Sequence, residues 1–159
     1  MIDVELRDLM IHETGPEAGW TGLLVAEGLP IAHVGHDEKE AVRIIELIDG
    51  RTADDVDAVR IALRTESPTL GTMALGVRCS ELVAWQWMRQ SLEHMLHSEA
   101  VGVVGEGPEA ELRSVRVPGG GSIQAAVSHL WREEPGVRIL NGMDPDKAVE
   151  AWLSVVAKP

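Results

Sequence analysis

Not one of the 159 residues is Phe or Tyr, so Trp20, Trp85, Trp87, Trp131 and Trp152 carry every aromatic ring. Whatever this chain folds into, aliphatic side chains and Met have to fill the rest of its core. The material suffices. The apolar share is 45%, ordinary for a globular protein, and a chain of this length buries roughly 70% of the surface its unfolded form exposes. The missing aromatics also narrow function. Stacking platforms for single-stranded nucleic acid would have to be Trp alone, and Tyr is absent as a catalytic acid.

Charge narrows it further. The chain carries 26 Asp and Glu against 14 Lys and Arg, a net −12. Between Asp37 and Asp57 the surplus is concentrated: Asp37, Glu38, Glu40, Glu46, Asp49, Asp54, Asp55 and Asp57 face only Lys39, Arg43 and Arg51. A field of that sign repels phosphate backbones and anionic membranes, and attracts basic surfaces or cations. Direct nucleic-acid and membrane binding are therefore not expected, and a basic protein surface is the expected partner. The same carboxylates also read as plain solvation. A single cysteine, Cys79, leaves no intramolecular disulfide and suits a reducing compartment. With no basic leader, and no apolar run near the roughly 20 residues of a membrane span, the expectation is a soluble cytoplasmic protein.

Periodicity supplies the elements. Val4 to Ile11 alternates for most of its length as a half-buried strand does. Residues 14–19 form a loop by composition. Trp20 to Ala26 and Ile31 to Val34, joined by Glu27-Gly28-Leu29-Pro30, complete an antiparallel meander or hairpin. Ala41, Ile44, Ile45 and Ile48 then fall at helical spacing, with Asp49-Gly50 as the stop. Thr52 opens a second helix, its first turn acidic at Asp54 and Asp55 and its buried side Val56, Val59 and Leu63. Thr69 to Arg78 reads as a loop or a short strand. Ser80 is the expected N-cap of a third helix running to His97. Ala100 to Val117 is a second hairpin, and Ser122 caps a helix with Ile123, Ala126, Val127 and Leu130 inward. Val137 to Leu140 is a short strand. Asp144-Pro145 starts a last helix. The order β-β-β-α-α-α-β-β-α-β-α describes an α+β fold: two antiparallel hairpin or meander units with about five helices. It is read as a single compact domain over 1–159, with 66–80 as the junction if it divides into subdomains.

On the third helix Leu82, Trp85, Met88, Leu92, Met95 and Leu96 share one wide face. Val83, Trp87 and His94 lie opposite. That second stripe is either buried against the hairpins or a partner surface with Trp87 as its anchor. The carboxylates Asp37, Glu38, Glu46, Asp54, Asp55 and Asp57 would complete the partner surface.

Chemistry-bearing residues are sparse. His33 and His36 precede Asp37, and His94 and His97 are also three apart, so a zinc site from His33, His36, Asp37 and one helical His is conceivable by ligand type. No CxxC or HExxH accompanies it, and no metal or cofactor is assigned. Cys79 sits just ahead of the third helix, whose dipole favours its thiolate; a nucleophile also needs a base, and His12, His94 or His129 serves only if the fold brings it close. Pro118-Gly119-Gly120-Gly121-Ser122 resembles an anion-binding turn but lacks the lysine of a P-loop and the spacing of a dinucleotide fingerprint. Asp54-Asp55 and Glu133-Glu134 are adjacent on helices and point about 100° apart.

Three stretches resemble small uncharacterised proteins carried by bacterial phages and plasmids: Trp20-Thr21-Gly22-Leu23-Leu24-Val25 with the turn into Ile31-Ala32-His33-Val34, the helix from Glu81-Leu82-Val83, and Arg138-Ile139-Leu140-Asn141. That group has Asp/Asn-Gly after the third strand, where this chain reads Gly35-His36-Asp37-Glu38-Lys39-Glu40. The resemblance implies a mobile-element origin and no activity or site residue. The reading that follows is an acidic, non-enzymatic protein-binding module. In its mobile-element form it is an inhibitor occupying a basic, nucleic-acid-binding surface of a host protein. The alternative is a small metal-dependent hydrolase using His33, His36 and Asp37.

Overall fold

Four consecutive strands open the fold in the computed structural model, which describes residues 1–12, 19–39 and 41–156. They are β1 (Val4–His12), β2 (Gly19–Ala26), β3 (Leu29–Asp37) and β4 (Ala41–Leu47), antiparallel in the order β1-β2-β3-β4. After them come α1 (Ala53–Glu66), a short 3-10 segment (Pro68–Met73) and α2 (Ala74–Ser98). The chain continues through β5 (Glu99–Val104), β6 (Glu111–Arg116), α3 (Ile123–Glu133), β7 (Arg138–Ile139) and α4 (Pro145–Val156). Strands β6-β5-β7 form a second antiparallel sheet. The fold is thus α+β, with two antiparallel sheets of four and three strands and four α-helices among the described residues. Two compact units divide at Trp85/Gln86, inside α2: Met1–Trp85 and Gln86–Pro159. No helix among the described residues is long and apolar enough to cross a membrane.

In the first unit, alternation puts one face of every strand inward. Leu6, Leu24, Ala32 and Leu47 stand in one cross-strand row. They join Val4, Ala26, Val34 and Val42 over Val56, Val59 and Leu63 of α1 and Leu75 and Cys79 of α2. Glu27 and Gly28 both have positive φ, 50° and 75°, the conformation that two-residue hairpin turns need to match strand twist. Register shifts occur in all three strand pairings. At the first, Asp8 takes φ 50°, as a bulge permits.

The fourth strand overturns a sequence expectation. Of residues 41–48, expected as a helix, 41–47 run as β4 and pair with β3 from Asp37↔Ala41 to Ala32↔Leu47. Val42, Ile44 and Ile45 are β-branched and lose side-chain freedom on a helix but pack well on a pleat. A skipped residue between Ile44 and Glu46 lets three isoleucines at 44, 45 and 48 imitate a helical repeat. The helix expected from Ser80 begins six residues earlier, at Ala74, and the stretch 69–78, read as loop or strand, is the 3-10 segment followed by the first turns of α2. The loop expected over 14–19 lies outside the described residues except for Gly19.

In the second unit β5 is central, with Ala100, Val101 and Val103 buried. Helix α3 packs Ala126 and Leu130 on Ala100 and Val137. Gly102 is required by close approach: a Cβ there would collide with the Val137 side chain and lie 3.2 Å from the Arg138 carbonyl oxygen. Asn141 ties the junction of α2 and β5. Its Oδ1 accepts from the Val101 N–H at 2.8 Å, and its Nδ2 donates to the carbonyls of Leu96 at 3.1 Å and Glu99 at 2.8 Å.

Candidate functional site

Trp87 stands on α2 with 51% of its surface exposed. At about 100° per residue, Gln90, Ser91 and His94 lie within roughly 60° of it, while Arg89 and Glu93 point well away. Those two are held by each other at 3.3 Å, and Arg89 also reaches Asp146 at 3.3 Å. The stripe around Trp87 is therefore free of Asp, Glu, Lys and Arg and accessible, with Gln90 and His94 exposed and Ser91 half-buried. Val83, expected in the same stripe, is half-buried and packs against the core of the first unit. Trp131, on α3, is also exposed, a residue that sequence reasoning passed over because its neighbours Leu130 and Val127 mark the inner face.

The six carboxylates expected to serve a partner belong to the first unit, and they do not form one cluster. Asp37 and Glu38 occupy the tip between β3 and β4, where the Asp37 carboxylate accepts the Lys39 N–H at 2.8 Å. Glu46 is five residues along β4, about 16 Å of strand away. It lies directly across from His33. Asp54, Asp55 and Asp57 begin α1. Asp55 accepts the Thr52 N–H at 2.7 Å and its hydroxyl at 3.1 Å, and Arg51 stands 3.7 Å away. The Thr52 backbone hydrogen bond holds the Asp55 carboxyl below its ordinary value of 3.8. Asp57 pairs with Arg60 at 3.1 Å. Three of the six thus hold local structure. Glu38, Glu46 and Asp54 have no hydrogen-bond or ion-pair partner among the described residues.

The metal alternative is not assembled. Odd-even alternation sends His33 and His36 to opposite faces of β3. His97 on α2 uses its Nδ1 against the Glu93 carbonyl at 2.6 Å. Among the described residues no three His, Cys, Asp or Glu side chains converge to hold a metal. Cys79 lies within α2 rather than at its start, fully buried, and burial pushes its thiol up to about 12. A nucleophilic role for it fails on both counts. Residues 119–121 lead into an ordinary cap, Ser122 Oγ accepting the Ala125 N–H at 3.2 Å. Arg113 is engaged by Glu111 and Glu134 instead of serving that turn.

The first unit also contains a groove of about 580 Å³ between α1 and the segment leading into α2. Asp57, Arg60, Ile61 and Arg64 of α1 line one wall, and Met73 and Leu75 face them. In the sequence, Arg60, Ile61 and Arg64 read only as the solvated side of an amphipathic helix. The opposite wall has no local sequence signal, because 69–78 reads as a loop or a short strand. No family model, curated protein or solved structure matches this chain.

Proposed function

We propose that the protein is a non-enzymatic binding module that captures a basic protein partner with Trp87 as its apolar anchor. The accessible Trp87 on a helical stripe without Asp, Glu, Lys or Arg carries the reading. A chain that is 25% charged leaves such a stripe around a half-exposed indole where a partner, rather than solvent, completes it. One Trp ring buries a large apolar area with little loss of side-chain freedom. The net −12 supplies long-range attraction to a basic surface and repulsion from phosphate. In its mobile-element form, the module occupies the nucleic-acid-binding surface of a host protein, its carboxylates meeting the Arg and Lys that would otherwise meet phosphates.

The test is affinity capture from host lysate at about 0.05 M and about 0.5 M NaCl, which separates screened from unscreened attraction. Trp87→Ala serves as the comparison. A specific partner retained at low salt, released at high salt and weakened at least about thirtyfold by Trp87→Ala supports the reading. A partner indifferent to Trp87, or none at low salt, rejects it.

A further inference from the structure

We propose that the groove between α1 and the start of α2 is a binding site for a small amphipathic carboxylate, with Arg64 taking the carboxylate and the apolar walls taking the tail. Three features of the groove support this. Its volume, about 580 Å³, falls within the range of small-molecule clefts, roughly 300–1,000 Å³. The apolar part is accessible as well: Ile61 is 60% and Met73 43% exposed at the rim, above Val42 and Leu75. Met adapts readily to different apolar shapes.

The charge in the groove is selective. Asp57 occupies Arg60 at 3.1 Å, while Arg64, one turn further on, has no ion-pair partner among the described residues. The first unit has 16 acidic against 7 basic residues, a net −9, and Arg64 stands beside the apolar lining of the groove. The unit's overall charge opposes an anion only weakly at this point. Exposed charges beyond about 8 Å are largely screened at physiological salt, whereas a guanidinium meets a carboxylate through two parallel hydrogen bonds at contact. A neutral ligand would leave Arg64 unused, and a phosphate without a tail would leave Ile61 and Met73 uncovered.

Octanoate is the probe, titrated into the intact, isotopically labelled protein and followed by amide resonances, with octanamide as its uncharged twin. Octanoate is expected to shift resonances of 57–64 and 71–75. Octanamide, and octanoate on Arg64→Gln, are each expected to bind at least about tenfold more weakly. Arg64 is exposed, so the variant should fold normally, and the octanamide comparison needs no substitution. The proposal is overturned by no shift up to about 10 mM octanoate, by shifts confined to other residues, by equal binding of octanamide, or by undiminished binding to a folded Arg64→Gln.

Discussion

Asn141 shows how much one side chain can organise in a small sheet. It satisfies one backbone donor and two backbone acceptors at once. Asn141→Ala strands all three in a partly buried place. Each unsatisfied group costs about 1–3 kcal/mol, so the variant should lose about 2–4 kcal/mol, and thermal unfolding by circular dichroism should show a drop of about 4–16 °C. Cys79 offers the complementary measurement. It is fully buried, and burial pushes its thiol up to about 12, so it is a protonated, inaccessible thiol at neutral pH. Native protein should therefore resist a thiol reagent, and full labelling should coincide with global unfolding in denaturant. Rapid labelling without denaturant would mean the helix around Cys79 opens by itself. In the sequence Asn141 was visible only as one letter of a resemblance, and Cys79 only as a lone thiol near a helix start. Neither the three backbone groups nor the burial has a local sequence signature.

Among the elements, those whose signal is local were legible and those defined by a partner strand were not. Thr52 with Asp54 and Asp55 announced the start of α1, Ser122 the start of α3 and Asp144-Pro145 that of α4; each is where expected. Segment 41–47 failed because its strand character depends on β3 beside it and on a bulge that disturbs the alternation. The Trp87 stripe follows directly from helical spacing, but Val83 packs against the first unit's core because of residues distant in sequence, which helical spacing does not show. Two element-scale predictions follow from packing and capping. Gly102→Ala should cost about 1–3 kcal/mol through overpacking against Val137, read as a lowered melting temperature, and Gly102→Val should cost more. Asp55→Asn tests the cap through pH. Because the folded pKa of Asp55 is depressed, its contribution is present above the unfolded value near 3.8 and is lost as pH falls through the lower folded value. The variant should therefore melt below wild type at pH 6, and the gap should close as pH is lowered from about 4 towards 2.

At the scale of the whole molecule, the acidity divides unevenly: −9 in the first unit, and 10 acidic against 7 basic residues, −3, in the second. Self-repulsion of this size destabilises a folded state at low ionic strength and is screened as salt rises. The melting temperature should accordingly climb by a few degrees between about 0.02 and about 0.3 M NaCl. Which carboxylates cause this can be separated, because Asp37, Asp55 and Asp57 have structural partners while the side chains of Glu38, Glu46 and Asp54 have none among the described residues. Neutralising the last three together, as Glu38→Gln, Glu46→Gln and Asp54→Asn, removes repulsion without removing a hydrogen bond. Asp54 also sits in the first turn of α1, where its charge favours the helix dipole by about 0.3–1 kcal/mol, so the gain should come mainly from the two glutamates. The triple variant should melt at or above wild type at low salt and respond less steeply to added NaCl. Measured beside partner capture, it separates the two meanings of the charge. If the three carboxylates only solvate the protein, the variant keeps its partner and gains stability. If they steer a basic surface towards the molecule, it gains stability and loses low-salt capture, mainly through a slower association rate.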